Sequence, residues 1–149
     1  METTKKYSIL IVDDDKFLID MYTLKFVEKG FTVETAGSGS EALQKVDGGL
    51  TPDIFLVDIV MPTMDGFELI QHLIQRQKEK RSAIIVLSNL GQKEDVAKGL
   101  ALGADGYIVK ATATPSEVVE KVMEIVSHRP SSPPDLKGAR GVVGEVNKL

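Results

Sequence analysis

With 149 residues, 42% of them apolar and 27% charged, the chain is sized for one soluble domain with a substantial core. A net charge of −4 without any cluster of Lys and Arg argues against direct nucleic-acid contact, and zero cysteines exclude disulfides and thiolate metal sites. No apolar run approaches the roughly 20 residues of a membrane span. Met1–Lys6 lacks a signal peptide's apolar core, so a cytoplasmic protein without membrane insertion is expected.

Tyr7–Val12 reads as a buried strand that runs directly into Asp13-Asp14-Asp15. Lys16–Lys29 is a predicted helix, stopped by Gly30. It carries more apolar residues than one stripe needs, Phe17, Leu24 and Val27 among them. Such a helix is either unusually buried or exposes a patch near the aspartates. Phe31–Ala36 alternates like a half-buried strand, and Glu41–Val46 is a short helix after a Gly-Ser turn. Ile54–Val57 is apolar throughout, the pattern of a strand buried on both faces of a parallel sheet. Asp58 follows it at once, and Pro62 with Asp65-Gly66 turns the chain into a helix over Gly66–Lys80.

Ala83–Leu87 is another buried strand, closed by Ser88-Asn89, and Glu94–Leu102 a weaker helix containing Gly99. Tyr107–Val109 is a short strand that delivers Lys110. Thr114 caps a last helix running to His128, with Pro115 in its first position. The domain is therefore expected over 1–128, with 129–149, rich in Pro and Gly, as a flexible tail. Five strands alternating with five helices predict an α/β doubly wound parallel sheet with helices on both faces. Ligands of such sheets sit at the C-terminal strand ends.

At those ends stand Asp13, Asp14, Asp58, Ser88 and Lys110, distant in sequence but on one edge. Clustered carboxylates repel, which raises their pKa values or draws in a cation. Oxygen ligands without His or Cys suit Mg²⁺, with Mn²⁺ as a substitute. A hydroxyl and an ammonium beside such a centre suit a phosphoryl group, with Asp58 as nucleophile. His72 and His128 lie on helices away from this edge and read as surface residues, and the methionines as packing.

The block Ile11-Val12-Asp13-Asp14-Asp15, the run Asp58…Met61-Pro62…Met64-Asp65-Gly66, Ser88, and Tyr107-Ile108-Val109-Lys110 together resemble receiver domains of bacterial two-component response regulators. The resemblance covers Tyr7 to about His128 and implies a flavodoxin-like sheet of order 2-1-3-4-5. It implies that Asp58 takes phosphate from a sensor histidine kinase or a histidine phosphotransfer domain. Asp13, Asp14, Asp58 and the Val60 carbonyl would hold Mg²⁺, with Asp13 acting largely through water. Ser88 would turn toward the phosphoryl group and Tyr107 rotate inward, changing the binding of a downstream protein. Such a chain catalyses only its own phosphorylation and slow dephosphorylation; it would be stand-alone, monomeric, or dimeric once phosphorylated.

Some positions depart from the family pattern. Ala111 stands where the family has proline, so a trans Lys110–Ala111 bond is expected, the cis form costing roughly 3 kcal/mol. Asn89 replaces a small residue and is expected to crowd the phosphoryl entrance. Val60 and Leu90 border the path of the hydrolytic water and position none, which predicts hydrolysis over hours. Asp15 is expected to cap the first helix and not to bind metal. Two other classes stay in view. A non-phosphorylated pseudo-receiver would keep the fold as an interaction module. A haloacid-dehalogenase-type phosphatase would need a second Asp at position 60, where Val60 stands.

Overall fold

The computed structural model describes residues 6–77 and 81–128, so the segment 129–149 read above as a tail lies outside it. Five strands and five helices alternate: β1 (Ser8–Val12), α1 (Lys16–Glu28), β2 (Thr32–Ala36), α2 (Gly39–Asp47), β3 (Ile54–Val57), α3 (Gly66–Arg76), β4 (Ala83–Ser88), α4 (Lys93–Leu102), β5 (Gly106–Val109) and α5 (Pro115–Ser127). All strand pairs are parallel, in the order β2-β1-β3-β4-β5. The expected flavodoxin-like sheet is present.

Alternation within the strands builds two cores. Leu10, Val12, Phe55, Val57, Ile84 and Val86 face one side, where α2, α3 and α4 cover them. Ile9, Ile11, Ile54, Leu56, Ile85 and Ile108 face the other, under α1 and α5. Burial on both faces is why β3 and β4 read as unbroken apolar runs.

Local chemistry sets the helix starts. Asp15, Ser38, Asp65 and Thr114 each accept a hydrogen bond from a backbone N–H of the first turn. Thr114 and Glu117 form a reciprocal capping box, with Pro115 in the first turn. The Ser38 cap starts α2 at Gly39, two residues before the expected Glu41. The predicted third helix to Lys80 runs as helix to Arg76, with Gln77 as its C-cap. Gly66 permits a close approach: a Cβ there would collide with the Asp58 carbonyl. The start of α3 is thereby pressed against the loop that carries Asp58.

The first helix resolves the alternative posed by its composition. Ile19, Tyr22 and Phe26 are buried, whereas Phe17, Leu24 and Val27 are 74%, 65% and 54% exposed. An apolar face of α1 is open.

Candidate functional site

Each residue of the site is delivered by the end of a strand. Past β1, the Asp13 N–H continues the ladder to the Ala36 carbonyl at 3.1 Å, and past β3 the Asp58 N–H donates to the Val12 carbonyl at 2.9 Å. These bonds fix the two backbones side by side. Asp13 and Asp58 are then buried, at 2% and 6% exposure, while Asp14 is exposed. Asp13 Oδ1 also accepts from the Asp15 N–H at 2.9 Å, which holds its carboxylate in place.

Lys110 extends from the end of β5 between the two buried acids. Its Nζ lies 2.8 Å from Asp13 Oδ2 and 3.5 Å from Asp58 Oδ2. The Lys110–Ala111 bond is trans, as expected, since no described peptide bond is cis, and Lys110–Thr112 forms one 3₁₀ turn. Burial alone would lower the Lys110 pKa, but the hydrogen bond to Asp13 and the charges of Asp58 and Asp13 carry it above the ordinary value. For Asp58 the balance goes the other way. Burial raises its pKa, and Asp13 adds to that while Lys110 opposes it.

Asp13, Asp14 and Asp58 each offer a carboxylate oxygen, and these oxygens all lie within 4.8 Å of one another. Three carboxylates against one ammonium leave the cluster short of positive charge. A hard divalent cation fits that donor set, as oxygen-only ligands suit Mg²⁺. Val60 follows on the surface at 59% exposure. The loop beyond it is tight, since the Met64 N–H donates to the Pro62 carbonyl at 2.8 Å across Thr63, whose φ is +72°.

Ser88, at the end of β4, is fully buried, and its Oγ accepts from the Leu90 N–H at 3.3 Å. Asn89 beside it is exposed. Tyr107 is buried completely, with its hydroxyl donating to the Leu90 carbonyl at 2.5 Å. Burial, with the charges of Asp95 and Asp58, pushes that phenol up to about 12. The ring points inward, among the residues of the core between the sheet and α3 and α4. Leu90 thus links the two switch candidates through its own peptide groups, a role its side chain did not signal.

Tyr22 was also missed as a neighbour of the site. Burial raises its pKa, with Lys110 opposing and Asp13, Asp58 and Asp15 adding. In the sequence it is one apolar helix residue among many. His128 is exposed at the end of α5, and His72 partly exposed on α3, both apart from the cluster.

A family model for the response regulator receiver domain matches residues 9–123. The chain belongs to the response regulator receiver family. This receiver is 36% identical over 107 residues to the phosphate regulon transcriptional regulatory protein PhoB of Rhizobium meliloti, covering 72% of this chain and 47% of that protein. It spans about half the length of the curated relatives it matches. Among solved structures, a CheY-like receiver domain protein from Methanospirillum hungatei superposes with a TM-score of 0.74 at 29% identity, covering 83% of this chain and 95% of that one. A chain of the CheX-CheY-BeF3-Mg²⁺ complex from Borrelia burgdorferi gives 0.73 at 33% identity, covering 80% and 88%. No helix of this receiver's described residues is long and apolar enough to cross a membrane.

Proposed function

We propose that this receiver is a phosphorylation-dependent switch in which Asp58 accepts a phosphoryl group from a phosphohistidine of a sensor kinase or phosphotransfer protein. The observation that carries this reading is the buried pair Asp13 and Asp58 with Lys110 Nζ between them, at 2.8 and 3.5 Å. An Asp58 oxygen attacks phosphorus as the P–N bond breaks, and the electron pair leaves on the imidazole, which takes up a proton. Lys110 balances charge on the phosphoryl oxygens, and the Ser88 hydroxyl donates to one of them. Asp13, Asp14, Asp58 and the Val60 carbonyl would hold Mg²⁺, which supplies further neutralisation of those oxygens. The beryllofluoride and Mg²⁺ in the Borrelia complex support this assignment.

The open face of α1 suits the donor. Phe17 projects one turn beyond the exposed Asp14 and Asp15, and Leu24 and Val27 extend the apolar strip. Output then passes to a downstream protein, or the phosphoryl group moves on to a second histidine, in the cytoplasm. We place the domain at 1–128 and assign no direct nucleic-acid contact to it, as its net charge is negative and its basic residues are scattered. The transcriptional regulation in its relatives' names belongs to those longer proteins.

The deciding experiment is intact mass after incubation with acetyl phosphate and Mg²⁺, for wild type and Asp58→Ala. The reading expects a gain of about 80 Da in wild type alone, abolished by EDTA. An adduct that survives Asp58→Ala refutes the choice of nucleophile. No adduct from acetyl phosphate or from a kinase donor moves the chain to the pseudo-receivers.

A further inference from the structure

Tyr107 rests inward in a space that one residue of α4 leaves open. A Cβ placed on Gly99 would stand 3.2 Å from Tyr107 Cδ2 and 3.3 Å from Cε2, with Phe67 Cε1 at 3.7 Å. Carbon atoms in comfortable contact sit at about 3.5–4.0 Å, so an added methyl group would have to push the ring. The ring has little room to yield. It is fully buried, its hydroxyl is held by the Leu90 carbonyl, and Phe67 beyond it is capped by Lys98 Nζ at 4.5 Å from the ring centroid. Glycine inside a helix weakens it relative to alanine. At position 99 the missing side chain is what houses the tyrosine.

We propose that Gly99 is a positioning residue for Tyr107: it leaves the room that keeps the ring inward before any phosphoryl group arrives, so α4 sets the resting state of this switch. The inference rests on the switch reading above for its functional meaning, and on packing alone for the ring's position. The consequence reaches Ser88 through one residue. Leu90 accepts from Tyr107 with its carbonyl and donates to Ser88 Oγ with its N–H, at 2.5 and 3.3 Å. Crowding the ring out frees that carbonyl and loosens the peptide that holds the Ser88 hydroxyl. A phosphoryl group, or an analogue of it, must then supply the work of drawing the ring back in.

The test follows Tyr107 directly. The protein is labelled with 3-fluorotyrosine, and the Tyr107 resonance, one of three tyrosines, is assigned by its loss in Tyr107→Phe. In unphosphorylated wild type the resonance should show no solvent isotope shift between H₂O and D₂O, and beryllofluoride with Mg²⁺ should move it little. In Gly99→Ala it should become solvent-exposed in the unliganded protein and return inward with beryllofluoride. Binding of the analogue should weaken about three- to tenfold, because part of its free energy is spent on the ring. Consistent with this, in unlabelled Gly99→Ala protein the exposed phenol should titrate near the ordinary tyrosine value and not near 12.

A resonance in Gly99→Ala as protected as in wild type overturns the proposal. So does a solvent-exposed Tyr107 in unliganded wild type, a measurement that needs no variant to fold. Alanine favours helix, and circular dichroism checks that α4 is kept. Intact mass after acetyl phosphate treatment separates the two readings. A chain that takes no phosphoryl group, yet whose ring obeys Gly99, refutes the function and supports this inference.

Discussion

Asp58→Asn keeps the shape of the acceptor side chain and removes its charge. At an effective dielectric of about 20, attraction between Asp58 and Lys110 at 3.5 Å amounts to about 4.7 kcal/mol. Repulsion from Asp13, whose nearest oxygen lies within 4.8 Å, is at least about 3.5 kcal/mol on the same scale. The two nearly cancel, so the loss of hydration on burial decides, in agreement with burial as the main cause of the raised pKa. Lys110 keeps its shorter contact to Asp13 in the variant, and asparagine can still accept from the Ile59 N–H that Asp58 uses. In EDTA at pH 7, Asp58→Asn should therefore be more stable than wild type by about 0.5–2 kcal/mol. That corresponds to a rise of roughly 1–8 °C in Tm for a chain of this size. The pH dependence carries a sign. Because the folded pKa is raised, the native state keeps a proton that the unfolded chain has lost. Wild-type stability then falls as pH climbs from the unfolded value of about 3.9 through the folded one. The advantage of asparagine should be absent below that window and complete above it, read from urea midpoints across pH. A variant less stable than wild type by more than about 1 kcal/mol at pH 7 would show Asp58 to be a net stabilising partner of Lys110, and the reasoning would fail.

Lys110→Met removes the cation between two buried carboxylates and should cost about 3 kcal/mol or more in EDTA, with Mg²⁺ restoring part of it in the same urea titrations. Once phosphorylated, the protein should lose its label over hours, because Val60 and Leu90 offer no group to hold an attacking water. Val60→Gln should shorten the half-life several-fold by intact mass, and a wild-type half-life below a minute refutes the argument. By hydrogen exchange, amides of α4 should open before those of α3; equal protection of the two helices would contradict the packing described above.

The sheet was legible because β1, β3 and β4 are buried on both faces and so carry unbroken apolar runs. The residues that collect at their ends were legible for the same reason, since a strand's end fixes where Asp13, Asp58 and Ser88 must stand, and the short β5 does the same for Lys110. Other features depend on partners that periodicity does not encode. The exposure of Phe17, Leu24 and Val27 could not be decided from a helix apolar on all sides; it needed the sheet and α5 in place. The start of α2 at Gly39 was hidden by glycine's poor helix propensity, which the Ser38 cap outweighs. Leu90 acts through its backbone, which any residue but proline could supply on both counts. Gly99 looked like a flaw in a weak helix until the ring beside it was visible.

That weakness has a place in the switch. α3 buries Phe67, Leu69, Ile70 and Leu73, and its start is capped by Asp65. α4 buries only Val96 and Gly99, and Gln92 at its start provides no side-chain cap. A glycine within it costs about 1 kcal/mol of helix stability against alanine. Of the two helices that flank Phe67 and Tyr107, the less anchored one therefore lies against the tyrosine. In the proposed switch a phosphoryl charge on Asp58 would act on Ser88, which the β4–α4 loop ties to Tyr107 through Leu90. The displacement that follows is absorbed where resistance is least, which is α4 and not the rigid frame that holds the acids. The same glycine that lets the ring rest inward also leaves its helix soft enough to yield while the ring stays in place.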